Sequence, residues 1–319
     1  MKVGYHASHE QFSPSELLHY VKLAHAAGFQ GAMCSDHFAP WGRSQGQSGF
    51  AWSWLGAALE AVDFDIGVVT TPIGLRYHPA IIAQAGATLG DMYPGRFWMA
   101  LGSGEAMNEC FAGQRWPAKA ERNDRLIEAV EIMRALYDGQ TVTRSGLIST
   151  EQATLYTRPP IIPRLVGAAL TPATARLAGG WADGMVTINQ PRNKLSSLIS
   201  AFREGGGTGK PIILQVHLSY APTDEEARQN AYDQWRTNAL SSSVAADLRF
   251  PEQFDDATRY VRPTDLDDSI RISSDIGQQL SWLMEDKEMG FDEVYLHNVG
   301  RNQEYFIRQF CEVILRSFL

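Results

Sequence analysis

Short apolar runs alternate with longer segments of helical spacing along the whole chain, and this alternation predicts parallel strands joined by crossover helices. The first unit carries its own punctuation. Residues 2–5 read as a strand, and Ser13-Pro14-Ser15-Glu16 supplies an N-cap, a proline at the first helical position and a capping-box glutamate. Leu17, Leu18, Val21 and Ala24 then recur at helical spacing, and Gly28 offers a stop. Strands follow at 31–34, 65–70 and 97–101, each ahead of a helical pattern, at 51–62, 79–92 and 118–137. Four further strands are predicted at 163–168, 184–188, 212–221 and 293–296, with helices starting near Thr171, Pro191, Thr223 and Asn302. Eight such units predict an α/β fold of the (β/α)8 barrel type.

Two stretches stand outside the alternation. Residues 141–156 place Val, Leu and Thr around Ser145-Gly146 and predict a small hairpin between barrel units. Residues 237–272 lapse into Ser, Asp, Arg and Pro and read as an insertion after the seventh strand, so residues 1–319 are expected to form one barrel domain.

With 44% hydrophobic and 20% charged residues, the chain has the material for a large core. A net charge of -8 argues against a polyanion-binding surface, so no nucleic-acid partner is expected. Cys34, Cys110 and Cys311 are widely spaced and in no zinc-ligand pattern, which fits reduced thiols. Neither a secretory leader nor an apolar run of membrane-spanning length is recognisable, and the expectation is a cytoplasmic protein with no membrane partner. The glycines at 205–209 lack the lysine-serine ending of a phosphate loop and read as a connection.

In such a barrel the reacting groups follow the strands. Asp36 and His37 follow strand two, Glu105 and Asn108 follow strand four, and His297 ends strand eight. His37 offers a group that titrates near neutrality beside a carboxylate, and Trp41 offers an indole to shape or stack on a planar ligand. Glu105 lies in ALGSGEAMNE, where glycines let the backbone approach a ligand. Each residue also has a plain structural reading: Asp36 as a backbone cap, Glu105 as a helix-terminus acid, His297 as a core histidine bonded to a carbonyl. Asp36, His37, Glu105 and His297 as metal ligands would suit a hydrolase, but no HxH or HExxH occurs. Trp41, Trp52, Trp54 and Trp98 suit an aromatic ligand better, and no metal is expected.

Four segments carry a family resemblance: GYHASHEQF at 4–12, SDHFAPW at 35–41, RYHPAIIAQAGATL at 76–89 and YPGRFWMALGSGEAMNE at 93–109. Together they resemble luciferase-like barrel enzymes, in particular the F-420-dependent glucose-6-phosphate dehydrogenase subgroup. A weaker likeness continues through WADG at 181–184 and FDEVYLHN at 291–298 and so covers nearly the whole chain. The resemblance implies an oxidoreductase that moves a hydride between a small organic substrate and a deazaflavin (coenzyme F-420) or FMN. It places Asp36 and Asn108 against the cofactor, His37 as base at the substrate carbinol, Trp41 around that pocket, Glu105 as acid toward the reduced ring and Glu10 as a further acid.

The resemblance also implies a non-prolyl cis peptide at Val69-Thr70 beneath the ring, and Gly104, Ala168 and Thr171 complete the expected cofactor contacts. Where relatives carry Gly-Gly before the fifth helix, this chain has Leu170-Thr171. Where they carry a lysine for the sugar phosphate after strand six, it reads TINQPRN before Lys194. The resemblance further implies a homodimer. A flavin-binding barrel without catalysis is the alternative from another class.

Overall fold

The computed structural model describes residues 1–318. Eight strands run parallel: β1 (Lys2–Ala7), β2 (Ala32–Ser35), β3 (Ile66–Pro72), β4 (Phe97–Gly102), β5 (Arg164–Ala168), β6 (Gly184–Ile188), β7 (Ile212–Ser219) and β8 (Glu293–Asn298). Each pairs with the next in chain order, β6 pairs with β7, and β8 returns to β1, so the sheet closes with no free edge. The chain forms the (β/α)8 barrel that the alternation predicts.

Local signals explain the helix starts. Helix Pro14–Ala26 begins with the Ser13/Glu16 capping box, in which the Ser13 N–H donates to Glu16 Oε2 at 2.9 Å. Helix Pro79–Met92 begins after His78, whose ring accepts the Ala80 N–H. Outward strand residues such as Val3, Cys34, Val68 and Leu165 pack under the helices. Inward residues form a separate plug of Met33, Val69, Trp98, Ala100, Val166, Val186, Ile213 and Tyr295. The two bulkiest members, Trp98 and Tyr295, fit because β3 and β1 present Gly67 and Gly4 opposite them, where any Cβ would overlap the rings. Trp98 is therefore part of the barrel floor.

The hairpin is present, with Val142–Arg144 antiparallel to Thr150–Ala153. The region between β7 and β8 is richer than the single helix and irregular insertion expected. Helix Asp224–Trp235 comes first, and Trp235 packs edge-on against His297 at the barrel mouth, 4.5 Å between centroids. Short helices and the strand Arg271–Ile272, paired to β7, follow. A second long helix, Ile276–Glu288, then packs on helix Gln303–Val313 in the outer ring. Its apolar stripe is interrupted by buried Asp286, which takes a bidentate ion pair from Arg271 at 2.6 and 2.7 Å. That polar contact hides the helix from a hydrophobic pattern. Among the described residues no helix is long and apolar enough to cross a membrane.

Candidate active site

The loops after β1, β2 and β4 bring Glu10, His37, Asn108 and Glu105 into one linked cluster at the C-terminal end of the barrel. Glu10 is buried, and its Oε2 accepts the Ser8 hydroxyl at 2.7 Å and the Ser35 hydroxyl at 2.6 Å. Its Oε1 faces His37 Nε2 at 3.4 Å. On the other side of the ring, Asn108 Nδ2 lies 3.3 Å from His37 Nδ1 and 3.5 Å from Glu105 Oε2. Trp41 stands against His37, 4.9 Å between ring centroids, and its far side meets Phe254 of the insertion.

The two carboxyls are driven apart electrostatically. Burial opposes ionisation of Glu10, yet the facing His37, the Ser35 hydroxyl, His6 and the Ser8 hydroxyl together leave it below its usual value. Glu105 moves the other way, raised first by burial and then by the charge of Glu10, against the pull of His37 and Lys119. The pKa values of two neighbouring carboxyls are thus pushed in opposite directions, the pattern that sets an acid apart from a base.

Asp36 precedes His37 in the chain and is 1% exposed. Its carboxylate accepts from Trp52 Nε1 at 3.1 Å, Thr71 Oγ1 at 2.9 Å and the Tyr77 hydroxyl at 3.0 Å, and pairs with Arg76 at 3.2 Å. Arg76 also reaches buried Glu109, whose Oε2 accepts the Arg76 backbone N–H at 2.7 Å. These contacts tie the ends of β2, β3 and β4 together, so Asp36 holds the platform on which His37 stands. Trp52 serves Asp36, and Trp54 donates to the Pro14 carbonyl, so neither lines the opening.

The Val69-Thr70 peptide is cis. Val69 O accepts the Asp36 N–H at 2.8 Å, which joins this segment to the His37 loop. Gly102 and Ala168 end the neighbouring strands, and Gly104 turns the β4 loop with a φ of +76°. Thr171 is exposed and caps helix Pro172–Gly179 through the Thr174 N–H, outside the cluster of contacts around His37. A cavity of about 410 Å³ opens beside His37, lined by Phe38, Ser48, Phe50, Arg76, Tyr77 and Phe111. Phe38 and Phe111 stack at its rim, 3.5 Å between centroids.

Several participants lie beyond the residues that the sequence singles out. Ser8, Ser35, Arg76 and Tyr77 sit inside the quoted motifs; Ser8 serves Glu10 of its own loop, while Ser35, Arg76 and Tyr77 find their partners on segments that follow other strands. His6 and His217 join His297 in a buried group at the mouth of β1, β7 and β8, with His6–His297 and His217–His297 centroids 4.5 and 5.4 Å apart. Burial holds all three below the usual histidine value, His6 at about 3 and His217 at about 4. His297 bonds the Gln11 side chain at 2.8 Å rather than a core carbonyl. Among the described residues no three His, Cys, Asp or Glu side chains converge as metal ligands.

Comparison with known proteins agrees with this architecture. The luciferase-like monooxygenase family matches residues 1–293. The F420-dependent glucose-6-phosphate dehydrogenase of Beutenbergia cavernae is 34% identical over 99% of this chain and 96% of its own length. The protein of that name from Microbacterium testaceum is also 34% identical, with the same coverage. An F420-dependent secondary alcohol dehydrogenase, solved in complex with an F420-acetone adduct, superimposes with a TM-score of 0.91 at 30% identity over 98% of both chains. The FMN complex of the oxygenating constituent of 3,6-diketocamphane monooxygenase from Pseudomonas putida shares the fold, with a TM-score of 0.74 at 14% identity over 100% of this chain and 99% of that one. The chain belongs to the luciferase-like monooxygenase family.

Proposed function

We propose that this luciferase-like oxidoreductase, which works with a deazaflavin or FMN, interconverts a small secondary alcohol and its ketone, with the deazaflavin F-420 as hydride carrier. The observation that carries the reading is the chain of contacts from Glu10 through His37 and Asn108 to Glu105. It sets an ionised carboxylate and a carboxyl of raised pKa on the two sides of one imidazole. Removing a hydride from a carbinol releases an O–H proton that needs an acceptor, and charge arriving on a reduced ring is relieved by a donor.

The strand ends fit a flat ring. Val69, Thr70, Gly102 and Ala168 stand side by side on β3, β4 and β5, and a Cβ at Gly102 would meet Thr70 Cγ2 at 2.5 Å, so glycine keeps this strand end low beside Thr70. These residues would form the floor under the ring, with Asn108 and Gly104 at its edge. When bound, the ring supplies the hydride chemistry. The pair His37 and Glu10 handles the substrate hydroxyl, Glu105 protonates toward the ring, and Trp41 and the insertion keep water from the reacting carbon.

An uncharged alcohol suits the β6 end. Asn189 stands there with both polar atoms engaged: Oδ1 accepts the His217 backbone N–H at 2.8 Å and Nδ2 donates to the Ser269 carbonyl at 3.0 Å. Lys194 lies on the exposed face of helix Arg192–Phe202. The test is a titration of the purified protein with F-420 and with FMN, followed by ring reduction with 2-propanol or with glucose 6-phosphate. Reduction of F-420 by 2-propanol and not by the sugar phosphate is expected, and the reverse preference overturns the reading.

A further inference from the structure

The orientation of one side-chain amide decides which nitrogen of His37 carries its proton. Asn108 Oδ1 accepts the Phe38 backbone N–H at 2.8 Å, and a backbone N–H can only donate, so the amide oxygen belongs on that side. The NH2 group then points the other way, toward His37 Nδ1 at 3.3 Å and Glu105 Oε2 at 3.5 Å. An amide NH2 offers hydrogens and no lone pair. His37 Nδ1 is therefore the acceptor, and in the neutral ring the proton sits on Nε2.

Nε2 is the nitrogen that faces Glu10 Oε1, at 3.4 Å. The other Glu10 oxygen is held by the two serine hydroxyls, which aims Oε1 at the same space. A base at Nε2 would need a bare nitrogen there and a hydrogen on Nδ1, where it would run into the hydrogens of Asn108.

We propose that Asn108 is a positioning residue that locks His37 in its Nε2–H tautomer, so that His37 donates to the substrate oxygen while Glu10 Oε1 takes the hydroxyl proton. This rests on the alcohol-oxidation reading above. In the oxidation the carbinol C–H bond breaks and its electron pair leaves with the hydrogen as hydride, onto the bound deazaflavin or FMN. The O–H bond breaks in the same event, its proton goes to Glu10 Oε1, and the C=O bond forms. The His37 Nε2–H bond stays with the oxygen throughout. Glu10 ends as a neutral acid, and the reverse steps reduce the ketone. With the ring neutral, the Ser8 and Ser35 hydroxyls and the facing His37 Nε2–H all favour the ionised form of Glu10, which leaves it ready to accept the proton.

Nitrogen NMR of the full-length protein labelled at histidine reads the tautomer directly, with and without bound F-420, and loss of signal in His37→Gln assigns the resonances. The expected result is a bare Nδ1 and a protonated Nε2 on His37 in the wild type. Asn108→Asp replaces the amide donor with an acceptor, and the proton is expected to move to Nδ1 while alcohol turnover drops about 10²-fold or more, the scale seen when a catalytic histidine is held in the wrong tautomer. Wild-type His37 protonated on Nδ1, or an Asn108→Asp protein with an unchanged tautomer, overturns the proposal. Glu10→Gln at the wild-type rate overturns the acceptor role. If no alcohol reduces F-420 or FMN, the substrate reading and the proton step built on it fall together, and the NMR result separates that failure from a failure of the tautomer lock.

Discussion

Ser35, the last residue of β2, donates its hydroxyl to Glu10 at 2.6 Å, across the gap between the first and second strand ends. The same oxygen accepts the His9 backbone N–H at 2.9 Å, so the hydroxyl hydrogen has one direction left. The bond stabilises the ionised form of Glu10. Ser35→Ala should therefore raise the Glu10 pKa, through the loss of one charge-assisted hydrogen bond to the carboxylate. Because Glu10 must be ionised to accept a proton, activity is lost as pH falls through its pKa. The acid limb of the kcat/KM profile is expected to move to higher pH in Ser35→Ala, with little change at the plateau. An acid limb that stays put would show that Ser35 merely fills space.

Glu105 should govern the opposite limb. Its pKa is raised, mainly by burial, and a proton donor works only while protonated. Turnover that depends on it falls as pH rises through that raised value. Glu105→Gln changes little volume and removes the transferable proton, so kcat should drop by about 10²- to 10⁴-fold and the remaining rate should lose its basic limb. A steady-state pH series on the variant and the wild type checks both.

The barrel, and the gathering of the candidate residues at one end of it, were legible in the chain because both depend on period and position. Strand runs end just before Asp36, Glu105 and His297, and a parallel barrel gathers strand ends on one face. Partner identity was not legible. Ser35 and Glu10 are 25 residues apart, and only the β1–β2 register, with Ala7 opposite Cys34, makes them neighbours. Asp36 illustrates the same limit: its residue type and place suit a ligand contact, while its four side-chain partners come from Trp52, Thr71, Arg76 and Tyr77. Helix Ile276–Glu288 escaped detection because buried Asp286 answers to Arg271, a contact that no hydrophobic pattern encodes.

The Arg76 network makes stability depend on pH. Burial pushes the Glu109 carboxyl up to about 8, against the attraction of Arg76, from an ordinary value of 4.5. The folded state then binds a proton that the unfolded chain releases between those values, so this group's contribution falls as pH rises from about 4.5 to about 8. Glu109→Gln removes the dependence. Urea unfolding across that range should show the wild type losing stability relative to the variant as pH rises, and a constant difference would remove Glu109 from the account. Arg76→Ala should cost about 3 to 5 kcal/mol at neutral pH, because buried Asp36 loses its cation.

Trp98 lies inside the barrel, 1% exposed, with its ring packed over the backbone of Gly67 on the neighbouring strand and 5.6 Å from the Tyr295 ring. A methyl at Gly67 would overlap the indole, and the backbone cannot retreat because Gly67 is paired on both sides, to Met33 and to Trp98. Gly67→Ala should therefore destabilise the protein by about 1 to 3 kcal/mol, the usual range for overpacking a well-filled core. Trp98→Ala should cost about 3 to 5 kcal/mol for the opposite reason, by leaving a cavity under the site. If the overlap is the cause, the two changes must not add: part of the space left by the indole receives the methyl, and Gly67→Ala in the Trp98→Ala background should cost less than in the wild type, or nothing. Thermal or urea unfolding of the four proteins closes this cycle. Strict additivity would mean that Gly67 is required for the strand backbone rather than for the ring above it, and the small-against-large account of the floor would fail.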